Sequence, residues 1–156
     1  MAASANIEPI LDGEIPKLVP ELDVTNLDES ISFYALFGLV VSHARPEEGF
    51  AYLTLGPIHL MLQSVDGPGR RFRTAELQRP FGRGMNLQLE VENVRSVYED
   101  VVALGHQPLV ELEERWYRVG ESEAGNLQFV VADPDGYLLR PFQDLGRRDP
   151  QPSDRG

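Results

Sequence analysis

A shift of 67 residues lays this chain onto itself. Leu22 then meets Leu89, Asp23 meets Glu90, Val24 meets Val91, Asn26 meets Asn93, Leu27 meets Val94, Tyr34 meets Val101, Phe37 meets Leu104 and Gly38 meets Gly105, without a gap. Identities are few, but chemical type is kept at a fixed offset, which is the mark of an internal duplication. Whatever one half folds into, the other must repeat.

Within the first half, residues 17–25 alternate, with Leu18, Leu22 and Val24 on one face and Val19, Glu21 and Asp23 on the other, as a strand requires. Asn26 can cap the free amides of a following helix, Asp28 and Glu29 suit the positive end of its dipole, and Ile31, Tyr34 and Phe37 form a stripe ending at Gly38. Residues 39–44, 50–55 and 58–63 read as three strands separated by Arg45-Pro46-Glu47-Glu48-Gly49 and Gly56-Pro57. After Gly105 the second half supplies strands over 108–113, 116–119, 127–132 and 137–142, with Ser122-Glu123-Ala124-Gly125-Asn126 as an intervening loop. The expected fold is α+β, two tandem βαβββ modules over 17–63 and 85–144, each with a curled mixed sheet.

Between Val131 and Tyr137 the chain reverses through Ala132-Asp133-Pro134-Asp135-Gly136. Proline presets φ for a turn, an aspartate caps it through its side chain, and Gly136 accepts a positive φ. Both aspartates are therefore read as turn formers rather than catalysts.

A chain of 156 residues can bury one core or two small modules sharing a sheet. No apolar run approaches the ~18 residues a membrane span needs, and the first residues lack the basic start and apolar core of a signal peptide, so a cytoplasmic location is expected. The absence of cysteine removes disulfides, thiolate catalysis and zinc–thiolate sites. A net charge of −11 argues against a nucleic-acid partner, because phosphate binding depends on basic surface, and suits a cationic ligand better. Residues 64–84 run against this balance, with Arg70, Arg71, Arg73, Arg79 and Arg83 facing only Asp66 and Glu76. This basic linker is either a solvated connection or a contact arm toward a partner, and Thr74-Ala75-Glu76-Leu77-Gln78 could make one helical turn. Residues 1–16 read as an arm, and residues 145–156, nearly free of apolar side chains, as a disordered tail.

Asp133-Pro134-Asp135-Gly136 before an apolar strand, together with Ser30-Ile31-Ser32-Phe33-Tyr34 and Phe37-Gly38-Leu39, resembles the vicinal oxygen chelate superfamily of glyoxalases, extradiol dioxygenases and bleomycin-resistance proteins. In its metal-dependent members, His, Glu or Gln at the start of each module's first strand and on each module's last strand hold a divalent ion inside a cup. Carried onto this chain, those positions are Val19 and Asn86 on the first strands and, counting four residues on from Gly56 and Gly136, Leu60 and Arg140. Valine and leucine offer no lone pair, arginine is already a cation, and one amide oxygen does not hold a divalent ion alone. His43, His59 and His106 stand singly, with His59 expected to face away from the cup. No metal and no cofactor is assigned.

Loss of the ligand set with retention of the fold resembles the bleomycin-resistance branch, as do Leu60-Met61-Leu62-Gln63 and Glu113-Glu114-Arg115-Trp116. That branch implies a homodimer whose shared clefts sequester a cationic, aromatic glycopeptide without altering it: a binding protein rather than an enzyme. The expected cup lining is Glu21, Asn86, Gln88 and Arg140, with Tyr52, Trp116 and Tyr117 for flat apolar contact. The competing expectation is a metal-dependent lyase or dioxygenase with displaced ligands such as Glu21, His59 and Gln88.

Overall fold

A computed structural model describes residues 16–152, so all but the last residue of the arm expected over 1–16 and the last four residues of the expected tail lie outside the described residues. The chain divides into two compact units, and the division falls after Phe81. Each unit is a four-stranded sheet with one helix.

The first unit runs β1 (Glu21–Val24), α1 (Leu27–Ala35), β2 (Val40–Arg45), β3 (Phe50–Leu55) and β4 (Ile58–Ser64), in sheet order β1-β4-β3-β2. β1 pairs parallel with β4 and the other pairs are antiparallel, giving the mixed βαβββ sheet the sequence implies. Asn26 caps α1 by accepting from Glu29 N at 3.0 Å, and Gly38 takes a φ of 97° where the helix gives way to β2. Phe33, Tyr34 and Phe37 pack on Leu22, Val24, Leu53, Leu60 and Leu62 to form the core, all nearly inaccessible. Ser30, not a residue of the expected stripe, is also buried there.

The second unit repeats the plan with β5 (Asn86–Glu90), α2 (Val94–Ala103), β6 (Val110–Val119), β7 (Ser122–Ala132) and β8 (Leu138–Arg148), in sheet order β5-β8-β7-β6. Asn93 caps α2 as Asn26 caps α1, and the helices start 67 residues apart, at Leu27 and Val94. Val94, Val101, Leu89, Phe129, Val131 and Leu139 form its core, with the Tyr98 ring edge-on to Phe129 at 5.3 Å.

Three local expectations are corrected. The strands expected over 108–113 and 116–119 are one strand, β6, whose register against β7 shifts between Val110 and Glu113. Ser122–Asn126, expected as a loop, begins β7; the reversal is a two-residue turn at Gly120-Glu121 that pairs Val119 with Ser122. Gly125 in that segment is not a turn residue: it lies opposite Trp116, whose ring would come within 2.6 Å of any Cβ placed there. Finally, β8 continues to Arg148, so residues 145–148 are strand and not disordered tail. Cross-strand contacts hold that end, because Arg148 bonds Glu123 at 2.8 Å and lies 4.0 Å over the Trp116 ring.

The linker forms no helical turn at Thr74–Gln78. Its arginines bond back to the first unit: Arg71 Nε donates to Ser64 O at 2.9 Å, Arg73 Nε to Asp23 Oδ2 at 3.0 Å and Arg79 Nη2 to Thr25 Oγ1 at 3.0 Å. No helix among the described residues is long and apolar enough to cross a membrane.

Candidate functional site

Because successive side chains in a strand point to opposite faces, the pairing register decides what lies opposite the helix. In the first unit Glu21 pairs with Met61 and Tyr52 pairs with both Met61 and His43, so these four share the face away from α1. Leu60 belongs to the other face, 4% exposed in the core, and His59 to the open one. This corrects the expectation for β4 by one residue. In the second unit Gln88 pairs with Arg140 as Glu21 pairs with Met61, so Met61, not Leu60, is the counterpart of Arg140. The cause is the turns: Leu55 pairs with Ile58 across two residues, whereas Ala132 pairs with Leu138 across five, and glycine positions in turns of unequal length do not align the strands behind them.

The open face of the first unit carries a pocket of about 450 Å³ lined by Phe50, Tyr52, His43 and Met61, with Glu21, Gln63, Arg45, Glu48 and Arg70 around them. His43 stacks on Tyr52 at 4.9 Å, and the Tyr52 hydroxyl lies 2.9 Å from His59 Nδ1. Burial disfavours the phenolate and raises the Tyr52 pKa above its ordinary value. The sign is that of an acid whose charged form is desolvated, so Tyr52 stays a neutral hydroxyl through the physiological range. An ultraviolet titration of the native protein minus that of Tyr52→Phe should therefore show its step above about pH 10, the usual tyrosine value; a step at or below that value would contradict the burial. Gln63, oriented so that its oxygen accepts from Arg71 Nη1 at 2.7 Å, donates to Glu21 Oε1 at 2.6 Å. Glu21 thus meets a neutral amide, and Arg45 instead pairs with Glu48 at 2.6 Å while its guanidinium lies 4.0 Å over the Phe50 ring.

The second unit has its own pocket, about 230 Å³, lined by Gln88, Tyr117, Val119, Ala124, Asn126 and Arg140. Arg140 Nη2 donates to Gln88 Oε1, and the Tyr117 ring lies 5.8 Å from the guanidinium. Buried Gln128 donates to the Tyr117 hydroxyl at 2.7 Å.

The expected lining residues are distributed accordingly. Glu21 and Tyr52 meet in the first pocket; Gln88, Tyr117 and Arg140 meet in the second. Asn86 is exposed at the start of β5, on the Gln88 face but outside the pocket wall. Trp116 neighbours Tyr117 in β6 and so points to the opposite face, where its Nε1 donates to Glu114 at 2.7 Å. Sequence reasoning missed Phe50 and Met61, which follow from the period-two alternation through Tyr52 once β4 is in register. It also missed Asn126, hidden by the loop assignment although Ala124, Asn126 and Gln128 keep one face.

In corrected register the four positions that hold a divalent ion in metal-dependent relatives are Val19, Met61, Asn86 and Arg140. A thioether and one amide oxygen do not fit such an ion, and a guanidinium repels it. Of the displaced set, Gln88 Oε1 accepts from Arg140, while His59 Nδ1 lies against the Tyr52 hydroxyl. Among the described residues no three His, Asp or Glu side chains converge as a metal site.

Two βαβββ modules, each with a helix on one face of a mixed sheet and a polar, aromatic pocket on the other, define the paired-module α+β class. The model of the glyoxalase-like domain family matches residues 21–140, and the chain belongs to that family, within the glyoxalase/bleomycin-resistance superfamily. Among solved structures it is similar to TioX from Micromonospora sp. ML1, 19% identical over 82% of this chain and 98% of that one, with a TM-score of 0.63. It is also similar to the bleomycin resistance determinant encoded on transposon Tn5, 20% identical over 83% and 98% of the two chains, with a TM-score of 0.51. A protein from the mobile metagenome of V. Pseudocholerae matches at 17% identity over 84% and 96%, with a TM-score of 0.62. At these identities the likeness is one of fold. No curated protein sequence matches the chain.

Proposed function

We propose that this protein is a small-molecule binder that works without a metal, sequestering a cationic, aromatic glycopeptide of the bleomycin type in clefts completed by a homodimer, and leaving it chemically unchanged. The observation that carries the reading is the first-unit pocket, where Phe50, Tyr52 and His43 offer flat apolar contact beside a glutamate, Glu21, that makes no ion pair among the described residues. A guanidinium already rests on the Phe50 ring, which is the attraction a ligand cation would use. The net charge of −11 adds long-range attraction for such a ligand.

Calorimetric titration with metal-free and copper-loaded bleomycin tests this directly. Saturable binding at about one ligand per chain, weakened by added salt, is expected; absence of saturable heat with either form removes the antibiotic as ligand. Glu21→Gln should weaken binding about tenfold, corresponding to ~1.4 kcal/mol. Arg45→Ala should strengthen it several-fold by vacating the Phe50 face. Light scattering at twice the mass of the chain is expected for the dimer, and a monomer would remove the shared cleft.

A further inference from the structure

We infer that the pocket of the second unit is a binding site for a small monocarboxylate with an apolar or aromatic body, held by Arg140. It stands on residues separate from the first-unit pocket and does not rest on the reading above.

Arg140 occupies the β8 position directly across from Gln88, on the sheet face opposite its buried neighbour Leu139. Its side chain is half-buried and forms no ion pair among the described residues; the Glu113 carboxylate on the same face accepts instead from Gln128 Nε2 at 3.3 Å. Its one hydrogen-bond partner there is the Gln88 amide oxygen, and its Nε is buried with no acceptor at all. A guanidinium withdrawn from water without a counter-charge is costly, and a neutral amide leaves the charge uncompensated. An anion entering the pocket removes that cost.

The neighbours are arranged to help. The Tyr117 hydroxyl accepts from Gln128 Nε2, which leaves its own proton available to a ligand oxygen. Asn126 is 9% exposed, lines the same cavity and has no side-chain hydrogen bond among the described residues, so its amide is a further donor. Val119, Ala124 and the Tyr117 ring close the remaining wall with apolar surface. One guanidinium balances one negative charge, which favours a carboxylate over a phosphate dianion. The guanidinium fork also matches the two carboxylate oxygens.

The test is a nitrogen-15 chemical-shift titration of the full chain with benzoate, benzamide and inorganic phosphate. Benzoate should saturate at a Kd on the order of 1 mM, shifting the Arg140 Nε and the Asn126 and Gln88 side-chain amides, since about nine heavy atoms support that affinity. Benzamide, isosteric but uncharged, should bind at least about tenfold more weakly. Arg140→Gln should abolish saturation with the sheet retained by circular dichroism, Arg140→Lys should keep part of it, and Arg95→Gln, an exposed cation lost from α2 on the other face of the sheet, should change nothing. Equal binding of benzamide, or undiminished binding by Arg140→Gln, overturns the charge-based site. Phosphate binding as tightly as benzoate overturns the carboxylate assignment.

Discussion

Replacing Asp133 by alanine should lower the unfolding free energy by about 3 kcal/mol. One carboxylate oxygen, Oδ1, accepts from the backbone amides of Asp135, Gly136 and Tyr137, each at 2.9 Å, at a site where Asp133 is 5% exposed. Bonds to a charged acceptor are worth about 1.5–3 kcal/mol, and deletion also strands buried donors that have no water to turn to. The conservative change Asp133→Asn keeps an acceptor oxygen and should recover roughly half the loss. Urea melts of the native protein and the two variants measure it. A deficit below about 1 kcal/mol for the alanine variant would mean that the turn is held by its backbone bonds, Asp133 N to Tyr137 O and Gly136 N to Asp133 O, and not by the carboxylate.

That turn was readable from sequence for the same reason that it is stable. The chemistry is local: an aspartate, a proline and a glycine satisfy their own backbone groups within five residues. The duplication was legible on similar grounds, since Asn26 and Asn93 cap their helices through bonds to the amide three residues on, and Gly38 and Gly105 both take positive φ. What sequence could not supply was set by distant partners. Ser122–Asn126 is rich in small and polar residues and reads as loop, yet the Trp116 ring covers Gly125 and fixes it as strand. Residues 145–148 have no apolar alternation, and their strand conformation comes from pairing with β7 and from the Arg148 contacts to Glu123 and Trp116. The candidate site was legible by type but not by place. Glu21, Tyr52, Gln88, Tyr117 and Arg140 all line pockets, but which of them meet depends on strand pairing. A single-residue error in β4 was enough to exchange Leu60 for Met61.

That exchange yields the second large effect. Leu60 is 4% exposed, paired with Leu53 and packed in the core beneath α1, so Leu60→Ala should cost about 3 kcal/mol, the lost transfer energy plus the cavity left behind. Met61, its neighbour, lies on the open face against Tyr52 and Glu21 and is only half-buried, so Met61→Ala should cost about 1 kcal/mol. Their effects on the pocket should run the other way. Removing the thioether widens the floor beneath Tyr52, so Met61→Ala should lower the Tyr52 ionisation step toward the ordinary tyrosine value by admitting water and should change ligand affinity. Leu60→Ala should leave both as they are while the protein remains folded. Urea melts and the Tyr52 difference titration on the two variants separate the possibilities. Were Met61→Ala the more destabilising, with Leu60→Ala shifting Tyr52, the β4 register would be the one that the glycines suggest, and His59 would leave the open face. The opposite ordering fixes Met61 as the counterpart of Arg140 and leaves the two modules with unlike groups at one equivalent position. A thioether in the first suits an aromatic ligand, and a cation in the second suits an anionic one.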